Sequence, residues 1–191
     1  MKKLITVIVL LSGIILSAET NKRNDAVEYY KNIYKSQKKS ILMSQKNSDN
    51  INPDYSVDKK YTTINLCWKD TKEEDLKYLI SFPEVESVTL AEAIYIKDID
   101  LKYFSDLINL QYLDFSETRI TGEGFKYLKN LPSLKEINLS HTRVTDRNLQ
   151  ELKKFKTLES IWLYKSKVTQ KGVNMLQKEL PDCFISLKPQ D

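Results

Sequence analysis

The sequence predicts a right-handed α/β solenoid: a horseshoe segment with parallel strands on the concave face and helices on the convex face. Three observations carry this prediction. The first is a recurring pattern of an apolar residue, two others, an aliphatic residue, one more, then Leu or Phe. It appears as Tyr61-x-x-Ile64-x-Leu66, Val85-x-x-Val88-x-Leu90, Leu110-x-x-Leu113-x-Phe115, Leu134-x-x-Ile137-x-Leu139 and Leu158-x-x-Ile161-x-Leu163. The final positions step by 24, 25, 24 and 24 residues, and a partial copy, Ile185-x-Leu187, follows 24 residues later. A fixed period of this size marks stacked units, none of which can bury its apolar face alone. The second is alternation, as at Ile137-x-Leu139, which sets two side chains on one face of a strand. The third is a later apolar series in each copy: Leu76, Leu79, Phe82; Leu101, Phe104, Leu107; Phe125, Leu128, Leu131; Leu149, Leu152, Phe155; Val173, Leu176, Leu180. Spacing of three or four places these on one side of a helix.

Along the chain, the first element is a leader at residues 1–18. Lys2 and Lys3 precede an apolar run from Leu4 to Leu16, and Ser17-Ala18 offers small residues for cleavage before Glu19. The run is short of the ~20 residues a helix needs to span a bilayer, so it reads as an export signal. It implies a periplasmic, envelope or secreted location in a bacterium-like cell. Membrane attachment is expected only if the signal stays uncleaved, and no Cys follows it to carry a lipid.

Residues 19–60 form the second region. Over residues 25–45, Ala26, Tyr30, Ile33, Tyr34 and Ile41 fall near one helical face, with Lys31, Lys35 and Lys38 off it. This helix reads as a cap or spacer for the open end of the stack. A polar linker, Asn47-Ser48-Asp49-Asn50-Ile51-Asn52-Pro53-Asp54, follows.

Residues 61–191 hold the repeats and a closing strand. The turns after the third, fourth and fifth strands read Thr118-Arg119-Ile120-Thr121, Thr142-Arg143-Val144-Thr145 and Ser166-Lys167-Val168-Thr169. Thr121, Thr145 and Thr169 sit where a helix N-cap hydroxyl belongs. Pro83, Pro132 and Pro181 follow the last apolar residue of a helix, where the chain leaves for the next strand.

The repeat resembles the leucine-rich repeat family, specifically the short 24-residue bacterial type written L-x-x-L-x-x-L-x-L-x-x-T-x-[IV]-T-D-x-G-L. Its relatives are ribonuclease-inhibitor-like and F-box-associated repeats. The resemblance covers residues 61–187. Repeats one and two depart from it: the Lys69–Glu74 and Ala91–Asp100 turns lack the Thr-x-Val-Thr signature. No F-box-like segment accompanies the repeats, so ubiquitin-ligase function is not implied.

Charge narrows the partners. The chain has 30 basic and 26 acidic residues, a net +4. Residues 19–60 hold nine basic and six acidic residues, and residues 61–191 hold 19 and 20. A nearly neutral repeat domain has no net attraction for nucleic acid, and none is expected as a partner. Cys67 and Cys183 border the first and last strands, five ladder steps or roughly 24 Å apart. A disulfide needs Cα atoms within about 7 Å, so both are expected to be free.

Catalytic chemistry has little to stand on. His141 is the single histidine, which rules out a multi-histidine metal site. G-x-S-x-G, P-loop and H-E-x-x-H motifs do not occur. No cofactor or metal is expected, and the expectation is of a protein that is not an enzyme. Asn138-Leu139-Ser140 matches a glycosylation triplet, but its strand position makes the match a coincidence.

The outer face of the sheet is the expected site. Residues flanking each central aliphatic point away from the core. The candidates are Tyr112, Asp114, Glu136, Asn138, Trp162 and Tyr164, aromatics beside acids, a composition suited to a protein hot spot. Ordinary strand propensity also favours Tyr and Trp there. Carbohydrate or cell-wall binding through the same aromatics is the alternative partner class, and an enzyme or enzyme subunit is the disfavoured third reading. Tyr78, Tyr103 and Tyr127, each after a Lys, are read as packing between helices.

Overall fold

The computed structural model describes residues 21–29, 32, 62–67, 69–129 and 131–190. The chain divides into two compact units, Met1–Tyr55 and Ser56–Asp191. In the first, residues 21–29 and 32 are helical. The leader at 1–18, most of the helix expected over 25–45 and the linker at 47–54 lie outside the described residues.

In the second unit, six strands form one parallel sheet in sequential order. They are β1 (Thr63–Asn65), β2 (Ser87–Thr89), β3 (Tyr112–Asp114), β4 (Glu136–Asn138), β5 (Ser160–Trp162) and β6 (Phe184–Ser186). The register pairs Ile64 with Val88, then Leu113, Ile137, Ile161 and Ile185, so the central positions form one column. The first five are at most 1% exposed. Ile185, on the edge strand of the described sheet, is only half-buried.

Side chains end three of the strands. Asn65, Asp114 and Asn138 each accept the amide two residues on, from Cys67 at 3.0 Å, Ser116 at 2.7 Å and Ser140 at 3.0 Å. Such turns offer the backbone an alternative to the ladder. Glu92, Glu117, His141 and Lys165 then adopt φ of 64°, 57°, 57° and 54°. Each is the second residue after a strand-end Leu or Phe, so a left-handed residue recurs in every turn from the second repeat to the fifth. The buried hydroxyls of Thr118 and Thr142 close these turns by donating to Phe115 O (2.7 Å) and Leu139 O (2.6 Å). In the first repeat, without the signature, Thr71 does the same to Leu66 O at 2.9 Å.

The convex elements differ from the expected α-helices. Asp98–Phe104 and Glu123–Tyr127 are 3-10 helices, as are Leu79–Ser81 and Gln150–Lys154, while Glu73–Leu76 and Asp146–Leu149 are single α turns. Strands repeat every ~4.8 Å, whereas packed α-helices need 8–10 Å between axes. The tighter 3-10 form lessens that mismatch. Gln170–Glu179, in the fifth repeat, is a ten-residue α-helix. Gln177 Nε2 closes its end, lying 2.9, 3.0 and 2.9 Å from the carbonyls of Leu180, Pro181 and Cys183.

Of the expected threonine caps, that at Thr169 is borne out and those at Thr121 and Thr145 are corrected. Thr169 accepts from Gly172 N at 3.4 Å, Thr145 makes no side-chain cap bond, and the helix after Thr121 has Gly122, whose φ is 90°, as its N-cap. The work is done largely by carboxylates. Asp75 and Asp100 accept the amides of Lys72 (2.7 Å) and Lys97 (2.8 Å) in the two repeats without the threonine signature. Asp98 reaches into the next repeat: its carboxylate accepts from Thr121 N (3.1 Å), Thr121 Oγ1 (3.0 Å), Gly122 N (2.9 Å) and Gly124 N (3.0 Å). Asp146 repeats the device on Thr169 N and Oγ1, both at 2.7 Å. A Cβ at Gly124 would collide with the Asp98 backbone, and one at Gly172 with the Asp146 carboxylate, so each such Asp is met by a glycine in the following repeat. Where the Asp position is Gly122, the following repeat supplies Asn148 instead, which donates to Thr121 O at 2.9 Å.

Tyr78, Tyr103 and Tyr127 are half-buried on the helix side. The ammonium groups of Lys77, Lys102 and Lys126 lie 5.3, 4.8 and 5.1 Å from their ring centroids. Tyr103 also ties two repeats together, donating to Glu73 Oε1 at 2.8 Å.

Candidate functional site

Strand alternation brings all six candidate residues to the outer face of the sheet or its edge. β3 carries Tyr112 and Asp114, β4 carries Glu136 and Asn138, and β5 carries Trp162 with Tyr164 just beyond. Register sets Tyr112 beside Glu136, and Asn138 between Asp114 and Trp162. Asp114 is 7% exposed and the others on the strands are half-buried.

The polar candidates are partly occupied by the fold. Asp114 uses one oxygen on the Ser116 amide and receives the Tyr112 hydroxyl at 3.2 Å on the other. Burial first, then the adjacent Asp114 charge, pushes the Tyr112 phenol well above its usual pKa, so it remains a hydrogen-bond donor. Asn138 is committed to its turn. Glu136 Oε1 accepts Trp162 Nε1 at 2.8 Å and Gln190 Nε2 at 3.4 Å. That bond fixes the indole on the face instead of leaving it free to rotate.

The aromatics continue beyond the candidates. Phe184 on β6 meets Trp162 edge to face with centroids 5.5 Å apart, and it is 58% exposed. Tyr164 meets His141 in the same manner at 5.3 Å. Phe184 was legible in the alternation of the last strand, but a terminal strand reads as a cap before it reads as a binding surface.

Cys67 and Cys183 are unpaired. Burial raises both thiols from 9.0 to about 11, with Asp114 and Glu92 adding a smaller upward push at Cys67. Both are therefore protonated at neutral pH, where the thiolate is the nucleophile. Iodoacetamide is expected to label Cys67 slowly and Cys183, 3% exposed, more slowly still. Mass spectrometry of the native protein checks this. Fast labelling of Cys183 would mean that the last rung opens.

A depression of about 410 Å³ at the entry to β3, β4 and β5 is lined by Gln111, Pro132, Ser133, Lys135, Thr157 and Glu159. Lys135 and Glu159 pair across it at 3.0 Å. It includes none of the six candidates. Among the described residues, no cluster of His, Cys, Asp and Glu could hold a metal ion, and no helix is long and apolar enough to cross a membrane.

Residues 83–144 match the model of the leucine rich repeat family. No curated protein matches the sequence. Among solved structures, the crystal structure of an internalin from Listeria monocytogenes is similar over 70% of this chain and 52% of that one, at 12% identity and a TM-score of 0.37. This chain thus spans about half the length of that protein. The fold itself stands on the six-strand register described above.

Proposed function

We propose, from the premise that this chain is a leucine-rich repeat protein, that it is an exported, non-catalytic module that recognises a protein partner through its strand face. The observation that carries this reading is the Trp162–Phe184 pair, held by Glu136 and left open on the sheet. An indole already fixed in one rotamer loses little side-chain entropy when a partner covers it. Tyr112 and Tyr164 extend the apolar area, and the remaining oxygen of Glu136 supplies polar contact beside it. Aromatic anchors surrounded by polar groups are where binding energy concentrates at protein interfaces. Export rests on the leader at 1–18.

The test immobilises the chain beside a folded Tyr112→Ala/Trp162→Ala/Tyr164→Ala variant and exposes both to envelope and host proteins. A partner held by the first is expected to bind the second roughly thirtyfold more weakly or worse, since one hot-spot residue is worth about 2 kcal/mol. Equal capture by both would move the site off the strand face. Saturable binding of a purified polysaccharide, with no protein captured, would replace the protein partner with a glycan.

A further inference from the structure

A second row of side chains lies along the edge where each strand turns toward its helix. Arg119, Arg143 and Lys167 hold the same position in three successive turns, 24 residues apart, and all are exposed. The next residues, Ile120, Val144 and Val168, are buried, so alternation turns the cations outward. Backbone bonds lock the rungs together: Arg143 N donates to Ile120 O at 2.9 Å and Lys167 N to Val144 O at 3.0 Å. A parallel bridge joins Thr145 and Lys167. Rungs bonded this way repeat every ~4.8 Å. The ion pairs among the described residues, Lys102–Glu73 and Lys135–Glu159, involve none of the three. Lys165 in the same turn and Lys171 at the start of the following helix are also exposed. Cations stacked this closely repel one another, and no carboxylate among the described residues pairs with them.

We propose that this row is a docking surface for an extended acidic peptide segment of a protein partner. Guanidinium groups at two of the three positions suit carboxylates, which they grip through two parallel hydrogen bonds. The exposed carboxylates of Glu117 and Glu123 interrupt the row. A uniformly charged polymer would meet them as repulsion, whereas a peptide can place neutral residues opposite them. The surface is distinct from the strand-face aromatics and stands or falls separately.

The probe is a fluorescent peptide alternating Glu and Ser, titrated with the full chain and read by anisotropy. Saturable binding is expected at low salt, weakened roughly tenfold or more by added salt. Arg119→Glu/Arg143→Glu/Lys167→Glu should weaken it to a similar degree. Lys129→Glu/Lys153→Glu/Lys178→Glu, the same charge change at exposed positions on the helix side, should stay within about twofold. Circular dichroism checks the fold of each variant. If the acidic row variant unfolds, the triple Gln variant must still weaken binding roughly threefold. Tyr112→Ala/Trp162→Ala/Tyr164→Ala should keep the peptide bound, which separates this surface from the strand face. Absence of binding by the unmodified chain, or equal loss in both charge variants, overturns the proposal. So does tighter binding of heparin or an oligonucleotide through the same three cations.

Discussion

Leu139→Ala is expected to destabilise the repeat domain by about 2–5 kcal/mol, the range for truncating a fully buried leucine. Leu139 is 0% exposed and follows β4, near the middle of the stack. Its amide donates to Trp162 O at 2.8 Å, and Thr142 closes the turn on its carbonyl. The backbone at this position is therefore pinned from both sides. It has little freedom to collapse into the space a smaller side chain would leave, which favours the upper part of the range. Urea denaturation of the two proteins measures the difference. A loss of only a few tenths of a kcal/mol would mean that the apolar column does not pack as described.

The second large effect is expected at Asp98. Asp98→Ala removes an acceptor shared by three backbone amides and one hydroxyl of the next repeat. Hydrogen bonds to a charged group contribute about 1.5–3 kcal/mol each, and donors left unpaired add a desolvation cost. These bonds are half-buried and share one carboxylate, so a total of about 2–4 kcal/mol is expected instead of the full sum. Gly124→Ala attacks the same contact from the other side, because its Cβ would meet the Asp98 backbone. It should be destabilising by at least about 1–3 kcal/mol. If the two substitutions share one interface, the double variant will lose less than the sum of the singles. Full additivity would mean that Asp98 and Gly124 do not act as one contact.

The strand side of the fold was legible because its period is set by backbone geometry. A residue repeating every 24 positions with period-two alternation has one way to bury itself in a parallel ladder. The column from Ile64 to Ile161 follows directly. The helix side was legible only as buried positions, not as conformation. The same three-residue spacing fits an α-helix and a 3-10 helix, and crowding against neighbouring repeats favoured the tighter form. The threonines of the turns were visible as a repeat, but their partners were not. Thr118 and Thr142 turned out to close turns, and at the helix after Thr121 the amides are taken by Asp98 of the preceding repeat.

The candidate site was legible to the same degree. Alternation alone placed Tyr112, Asp114, Glu136, Asn138 and Trp162 on one face. That Asp114 and Asn138 are held by turn amides, and that Glu136 holds Trp162, depends on distances between residues up to 26 positions apart. Asp98 carries no local signal either. It ends no strand and caps no helix of its own repeat, and its meaning lies in the repeat that follows.

By itself, the sequence determined the stacking period, the buried columns and the face left to solvent, since these depend only on spacing and apolarity. The tertiary structure alone decided which polar side chains hold the repeats in register and which aromatics stand open. Hydrogen bonds and ring contacts need particular atoms within about 3–6 Å, and stacking one repeat on the next is what brings those atoms together.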